Sequence, residues 1–200
     1  NGFSQYITNG NASLQNALLK EYQLTPDNFG QNGSVWYQNR VDLQFNFSIE
    51  AEIFLGFNDG GADGIAFVLQ SLSVNAGSSG GGIGYDGINP SFAIEFDTWQ
   101  NCDPAEDHIA MVLNGVSCHN PATTIQGPST IANVEDGQWH PVKFTWNAAA
   151  KNFKFYWNGS STAFYDVIYD IQTNIFGGSP FTYFGFTAAT GAARNDHRIR

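Results

Sequence analysis

The chain is poor in basic residues: Lys and Arg together number 8 against 18 Asp and Glu, a net charge of −10. Such a surface repels phosphate backbones, which argues against nucleic acids and anionic membranes as partners. No apolar run approaches the ~20 residues that a membrane-spanning helix needs. No signal peptide is visible, so the sequence reads as mature or as a piece excised from a longer protein. The glycine-rich stretch around residues 77–84 is followed by neither Gly-Lys-Ser/Thr nor a helical pattern, which leaves a phosphate-binding loop unsupported. Cysteine is scarce. The only two, Cys102 and Cys118, read as a disulfide in an oxidising compartment, against the alternative of two reduced buried thiols.

What is abundant is aromatic residues and glycine, with 17 Phe, 8 Tyr, 5 Trp and 22 Gly. Aromatic strands separated by Gly/Asn/Asp turns predict an all-β sandwich or barrel, and 200 residues suit one domain. Residues 41–57 form the longest alternating run, with Val41, Leu43, Phe45, Phe47 and Ile49 on one face. Asn58-Asp59-Gly60-Gly61 reads as a turn, residues 62–70 as a strand, and residues 138–146 and 152–157 as a hairpin. The Gly-rich segment after residue 75 reads either as a flexible linker or as a loop that lets a ligand reach backbone N–H groups.

The informative stretch runs from Phe92 to His108. In a strand, Phe92, Ile94 and Phe96 share one face, while Ala93, Glu95, Asp97 and Trp99 share the other. Two carboxylates that close repel unless a cation lies between them or they share a proton. Asn101, Asp103 and His108 follow directly, so a divalent cation is the simpler expectation.

Ala62-Asp63-Gly64, a Gly-rich loop, Ile94-Glu95-Phe96-Asp97-Thr98-Trp99-x-Asn101, Asp103-Pro104 and His108-Ile109-Ala110 occur in that order. The late Gly185-Phe186-Thr187-Ala188-Ala189-Thr190-Gly191 and the early Val35-Trp36-Tyr37 extend the pattern over nearly the whole chain, which closely resembles the legume-type (L-type) lectins. The resemblance implies an antiparallel two-sheet jelly-roll sandwich that binds sugars in a calcium-dependent way and catalyses nothing. It implies that Glu95, Asp97, Asp103 and His108 hold a transition ion, while Asp97, the Trp99 carbonyl, Asn101 and Asp103 hold Ca2+. The second ion would be Mn2+ or another Ca2+. Asp63, on a cis peptide with Ala62, and Asn101 would hydrogen-bond the sugar. Gly81 or Gly82 would add a backbone donor, Trp99 would stack on the ring, and the loop with Ala189, Thr190 and Gly191 would close the rim.

One departure stands out: a single residue, Cys102, separates Asn101 from Asp103, where plant members carry several. Asp107 or Glu106 are stand-in ligands if that loop is displaced, and a Cys102–Cys118 bond would replace its lost rigidity. His119, His140 and His197 show no ligand-like neighbours and read as structural or exposed. The implied partners are glycans, on glycoprotein or polysaccharide, at a secreted or cell-surface location; an oligomer stays open. The Cys pair, and a chain that stops mid-pattern before a closing strand, suggest a bacterial member. Two other readings compete. A metal-stabilised structural adhesin domain would keep the cation and bind no sugar. A jelly-roll glycoside hydrolase would need a second Glu where Gln100 stands.

Overall fold

The computed structural model describes residues 5–77, 82–105 and 107–200. In chain order the strands are β1 (Tyr6–Gly10), β2 (Ser13–Asn16), β3 (Glu21–Thr25), β4 (Asn32–Tyr37) and β5 (Val41–Asp42). There follow β6 (Phe47–Phe54), β7 (Gly64–Gln70), β8 (Ser91–Asp97), β9 (His108–Leu113) and β10 (Thr124–Thr130). The last are β11 (His140–Asn147), β12 (Asn152–Trp157), β13 (Tyr165–Ile168), β14 (Phe181–Ala189) and β15 (His197–Ile199). A single helical turn, Ile171–Asn174, is capped by the Asp170 carboxylate, which accepts the Thr173 N–H.

The strands form two antiparallel sheets. One runs β1-β4-β14-β7-β8-β9-β10, with β5 also on β14; the other runs β13-β12-β11-β6-β15-β3-β2. Between them lies one apolar core, with rings from both sides in contact: Phe67 stacks on Phe144 at 3.9 Å between centroids, and Phe96 meets Phe155 at 5.6 Å. The expected all-β sandwich is therefore the observed fold, and the expected hairpin is β11–β12.

One expectation changes. The alternating run at 41–57 is not one strand: a turn at residues 43–46 splits it, β5 joins one sheet and β6 the other. Leu43 stays in the core, where its carbonyl takes the Trp146 indole N–H at 2.8 Å, while Phe45 is thrown out to solvent. Residues 197–199 form β15, inserted between β3 and β6.

A second apolar cluster covers the outer side of the first sheet. Ile83, Tyr85 and Ile88 from the segment after the glycines pack on Trp36, Ala66, Val68, Ala93, Ala110 and Val112. The Ile83 carbonyl accepts the Thr187 hydroxyl, and the Ala76 carbonyl accepts the Trp36 N–H. Residues 83–88 are thus a packed cover, while residues 78–81 of the Gly-rich stretch lie outside the described residues. The consequence of that cover is that β7, β8 and β9 are buried on both faces. Among the described residues no helix is long and apolar enough to cross a membrane.

Candidate functional site

Register places the site. On β8, Asp97 lies opposite Gly64 on one side and His108 on the other, and Glu95 lies between Ala66 and Ala110. Small flanking residues leave space above the two carboxylates. Gly64 is obligatory there: its φ is +136°, and a Cβ would run into the Phe96 carbonyl.

Glu95, Asp97 and His108 are all almost fully buried. One Glu95 oxygen accepts the Tyr85 hydroxyl proton, and the other meets His119 Nε2. His108 Nε2 stands 4.0 Å from Asp97 Oδ2. Two groups of potential ligand atoms, each within 4.8 Å of one another, share His108: Glu95–His108–His119 and Asp97–Asp103–His108. Burial, and then the charge of Glu95, push the Asp97 carboxyl well above the usual carboxylate range. Asp97 Oδ2 has no hydrogen-bond partner among the described residues. A buried carboxylate oxygen left this way beside a second carboxylate is costly, and a divalent cation removes that cost. The donors fit one: carboxylates and a carbonyl-bearing loop suit Ca2+ or Mn2+, and imidazoles suit softer ions.

The short Asn101–Asp103 loop does not displace Asp103, whose Oδ1 accepts the Asn101 N–H at 2.9 Å. Asp107, the stand-in for a displaced loop, turns its carboxylate to the Val134 N–H at 2.9 Å and belongs to neither group. Glu106 and Gly81 lie outside the described residues. Cys102 and Cys118 are bonded, with Cα atoms 5.4 Å apart.

Asp63 sits beside this cluster, with Ala62–Asp63 in the cis form. Its N–H donates to the Ala189 carbonyl at 2.9 Å, and its own carbonyl takes the Thr98 N–H at 3.1 Å. Burial raises its carboxyl to about 6, against the lowering effect of a hydrogen bond from the Asn101 side chain, with the Asp103 charge adding to the rise. Trp99 is 38% exposed, and its N–H donates to Asp97 Oδ1 at 2.9 Å. Asp97 thus links the carboxylate cluster to the partly exposed Trp99. Gly82 is half-buried against Asp86, where a Cβ would clash with the Asp86 side chain.

The closing loop needs correction. Ala189 is wholly buried, and the Thr190 hydroxyl is consumed internally: it donates to the Asn28 carbonyl at 2.7 Å and accepts the Gln31 N–H at 2.8 Å. Neither side chain is available to a ligand. Gly191 lies beside Asp63: a Cβ there would sit 3.4 Å from Asp63 Oδ2.

His119 also needs correction, since it lies in the carboxylate cluster instead of standing apart. The signal was covalent. Cys118 precedes it, and Cys102 sits between Asn101 and Asp103, so the disulfide brings residue 119 to the ligand loop. His140 and His197 are structural as expected: His140 stacks on Trp157, and His197 Nδ1 contacts the Thr25 hydroxyl at 2.7 Å.

The family model described as the legume lectin beta-barrel domain matches residues 1–200. The chain belongs to the L-type lectin domain family. This lectin domain is 25% identical over 166 residues to lectin DB58 of Vigna unguiculata subsp. cylindrica, 73% of this chain and 58% of that protein. It is 34% identical over 102 residues to the pesticidal crystal protein Cry22Aa of Bacillus thuringiensis, 50% of this chain and 14% of that one. It thus matches less than two thirds of the length of each of these relatives. Among solved structures, basic winged bean lectin with Tn-antigen superposes with a TM-score of 0.76 at 20% identity, covering 98% of this chain and 90% of that one. The VIP36 exoplasmic/lumenal domain, in its Ca2+/Man3GlcNAc-bound form, superposes at 0.75 and 19% identity, covering 98% and 81%. In keeping with this non-catalytic family the domain is not an enzyme. Gln100, where a glycosidase strand would carry its second Glu, is an exposed amide.

Proposed function

We propose that this domain binds glycans in a calcium-dependent way through the pocket rim formed by Asp63, Asn101, Trp99 and Gly191. The observation that carries this reading is the contact between Asp63 and Asn101 at the edge of a buried carboxylate cluster, beside a partly exposed indole. Asp63 and Asn101 are hydrogen-bonding groups for sugar hydroxyls, and Trp99 is a stacking platform. The backbone N–H of Gly82 or Gly81 is a further donor.

Ca2+ is assigned to Asp97, the Trp99 carbonyl, Asn101 and Asp103, and the second ion to Glu95, Asp97, Asp103 and His108. When bound, the cations supply the counter-charge that the buried carboxylates need and fix the Asn101 loop. The residues then do the binding: they hold donors and acceptors in place before the sugar arrives, which lowers the ordering cost of association. The disulfide and the partial match to a Bacillus protein support a bacterial, secreted or surface-displayed parent in which this chain forms one carbohydrate-binding domain.

A glycan array run with Ca2+ and again after exhaustive chelation tests the reading. Binding only with Ca2+, erased by Asp63→Ala, is the expected result. Binding that survives chelation, or an Asp63→Ala variant that binds as well as the parent, would overturn it. Calcium-dependent stabilisation with no glycan bound would leave a structural adhesin domain.

A further inference from the structure

We infer that His119 is a direct ligand of the second cation, which makes that position a two-imidazole, carboxylate centre preferring a late first-row ion such as Zn2+ over Mn2+ or Ca2+. The inference rests on the cation reading of the same cluster and goes beyond it in naming the ligand and the metal class.

Three features support it. First, His119 Nε2 meets the buried Glu95 carboxylate, and the side chain is only 7% exposed although it lies on a loop. The ligand atoms of Glu95, His108 and His119 fall within 4.8 Å of one another. Ion–ligand bonds of about 2.0–2.2 Å close that spacing with small side-chain movement. The two rings lie 80° apart at 5.1 Å between centroids, so they converge edge to face instead of stacking.

Second, the position of His119 is secured from both sides. Cys118 is bonded to Cys102 in the loop that carries Asn101 and Asp103. On the other side, the Asn120 side chain accepts the Ala122 N–H at 3.0 Å, and its carbonyl accepts the Thr124 N–H at 2.8 Å. A ligand pre-placed in this way adds affinity without an ordering cost.

Third, ligand chemistry sets the preference. Replacing an oxygen ligand by a second imidazole moves a site towards Zn2+, Ni2+ or Cu2+, in the direction of the general affinity order, and away from Mn2+ and Ca2+. Glu95 Oε2 is already held by Tyr85, and its other oxygen is the one that meets His119 Nε2. Such a hydrogen bond from beyond the ligands orients the carboxylate for a metal.

The test is calorimetric titration of chelator-stripped protein with Zn2+, Mn2+ and Ca2+, with bound metal counted by elemental analysis. Zn2+ is expected to bind about 100-fold more tightly than Mn2+. His119→Gln should weaken Zn2+ by at least about 10-fold while changing Mn2+ and Ca2+ by less than about threefold. Unchanged Zn2+ affinity in a His119→Gln variant that melts like the parent would overturn the inference and leave His119 as an ion-pair partner of Glu95 only. Should that variant misfold, 15N NMR of the parent decides: Zn2+ must shift the ring nitrogens of both His108 and His119, and a shift of His108 alone refutes it. Failure of all three ions to bind would instead sink the cation reading itself.

Discussion

Strands β8 and β11 belong to opposite sheets, and each sends alternate side chains into the same core. Their outer faces differ. On β11, Pro141, Lys143 and Thr145 stay exposed or half-exposed, and Lys143 pairs with Glu50 at 2.8 Å in solvent. On β8 the outward residues Ala93, Glu95 and Asp97 are as buried as the inward ones. The difference lies in what covers them. Tyr85 and Ile88 lie over β8 from one direction, and His119 and the disulfide-tied ligand loop from another. A charge left in water costs little and contributes little. The same charge under a cover requires a counter-ion or a shifted pKa. Two strands of equal alternation thus become a plain outer wall and a buried cluster of potential metal ligands.

Several experiments break or sharpen that contrast. The largest effect is expected where the two regions share structure: Phe144→Ala, which removes the ring stacked on Phe67 from the common core, should cost about 3–5 kcal/mol in urea unfolding. Stability unchanged by that substitution would show that the sheets are energetically independent.

The second sheet holds its own buried titratable group. Burial lowers His197 from 6.5 to about 4 in the folded chain, so acid protonates the unfolded state first. Its contribution is therefore complete above pH 6.5 and lost as pH falls through about 4, a swing on the order of 3 kcal/mol. Unfolding measured from pH 7 to 4 should show this decline, and His197→Gln should flatten it.

At the cation cluster, Ca2+ at about 100 times its Kd should add ~2.7 kcal/mol. That corresponds to a rise in Tm of roughly 5–10 °C, and Asp97→Asn should abolish it. The smallest effect belongs to the wall: Lys143→Ala should leave both Tm and cation affinity unchanged, since its partner Glu50 is as wet as Lys143 itself. A loss of cation affinity in that variant would contradict the separation of the two faces.

Much of the site was legible in the residues. The Glu95/Asp97 parity on one strand and the ligand-type side chains at Asn101, Asp103 and His108 follow from local chemistry. The motif at 188–191 does not reveal that Ala189 is buried or that the 28–31 loop consumes the Thr190 hydroxyl. His119 escaped because a ligand that arrives through a loop has no periodicity. Only the Cys102–Cys118 pairing, if followed through, leads to it.

The sequence by itself determined the class of fold, the strand that carries the carboxylates and the ligand types near them, because alternation, turn residues and side-chain chemistry act over a few neighbours. Tertiary structure alone decided that residues 41–57 divide between two sheets, that β8 is covered on both faces and that His119 meets Glu95. Those outcomes depend on which distant segments come to lie on a surface. Burial, which turns a pair of acidic side chains into a demand for a cation, is a property of that assembled surface and of no single stretch of chain.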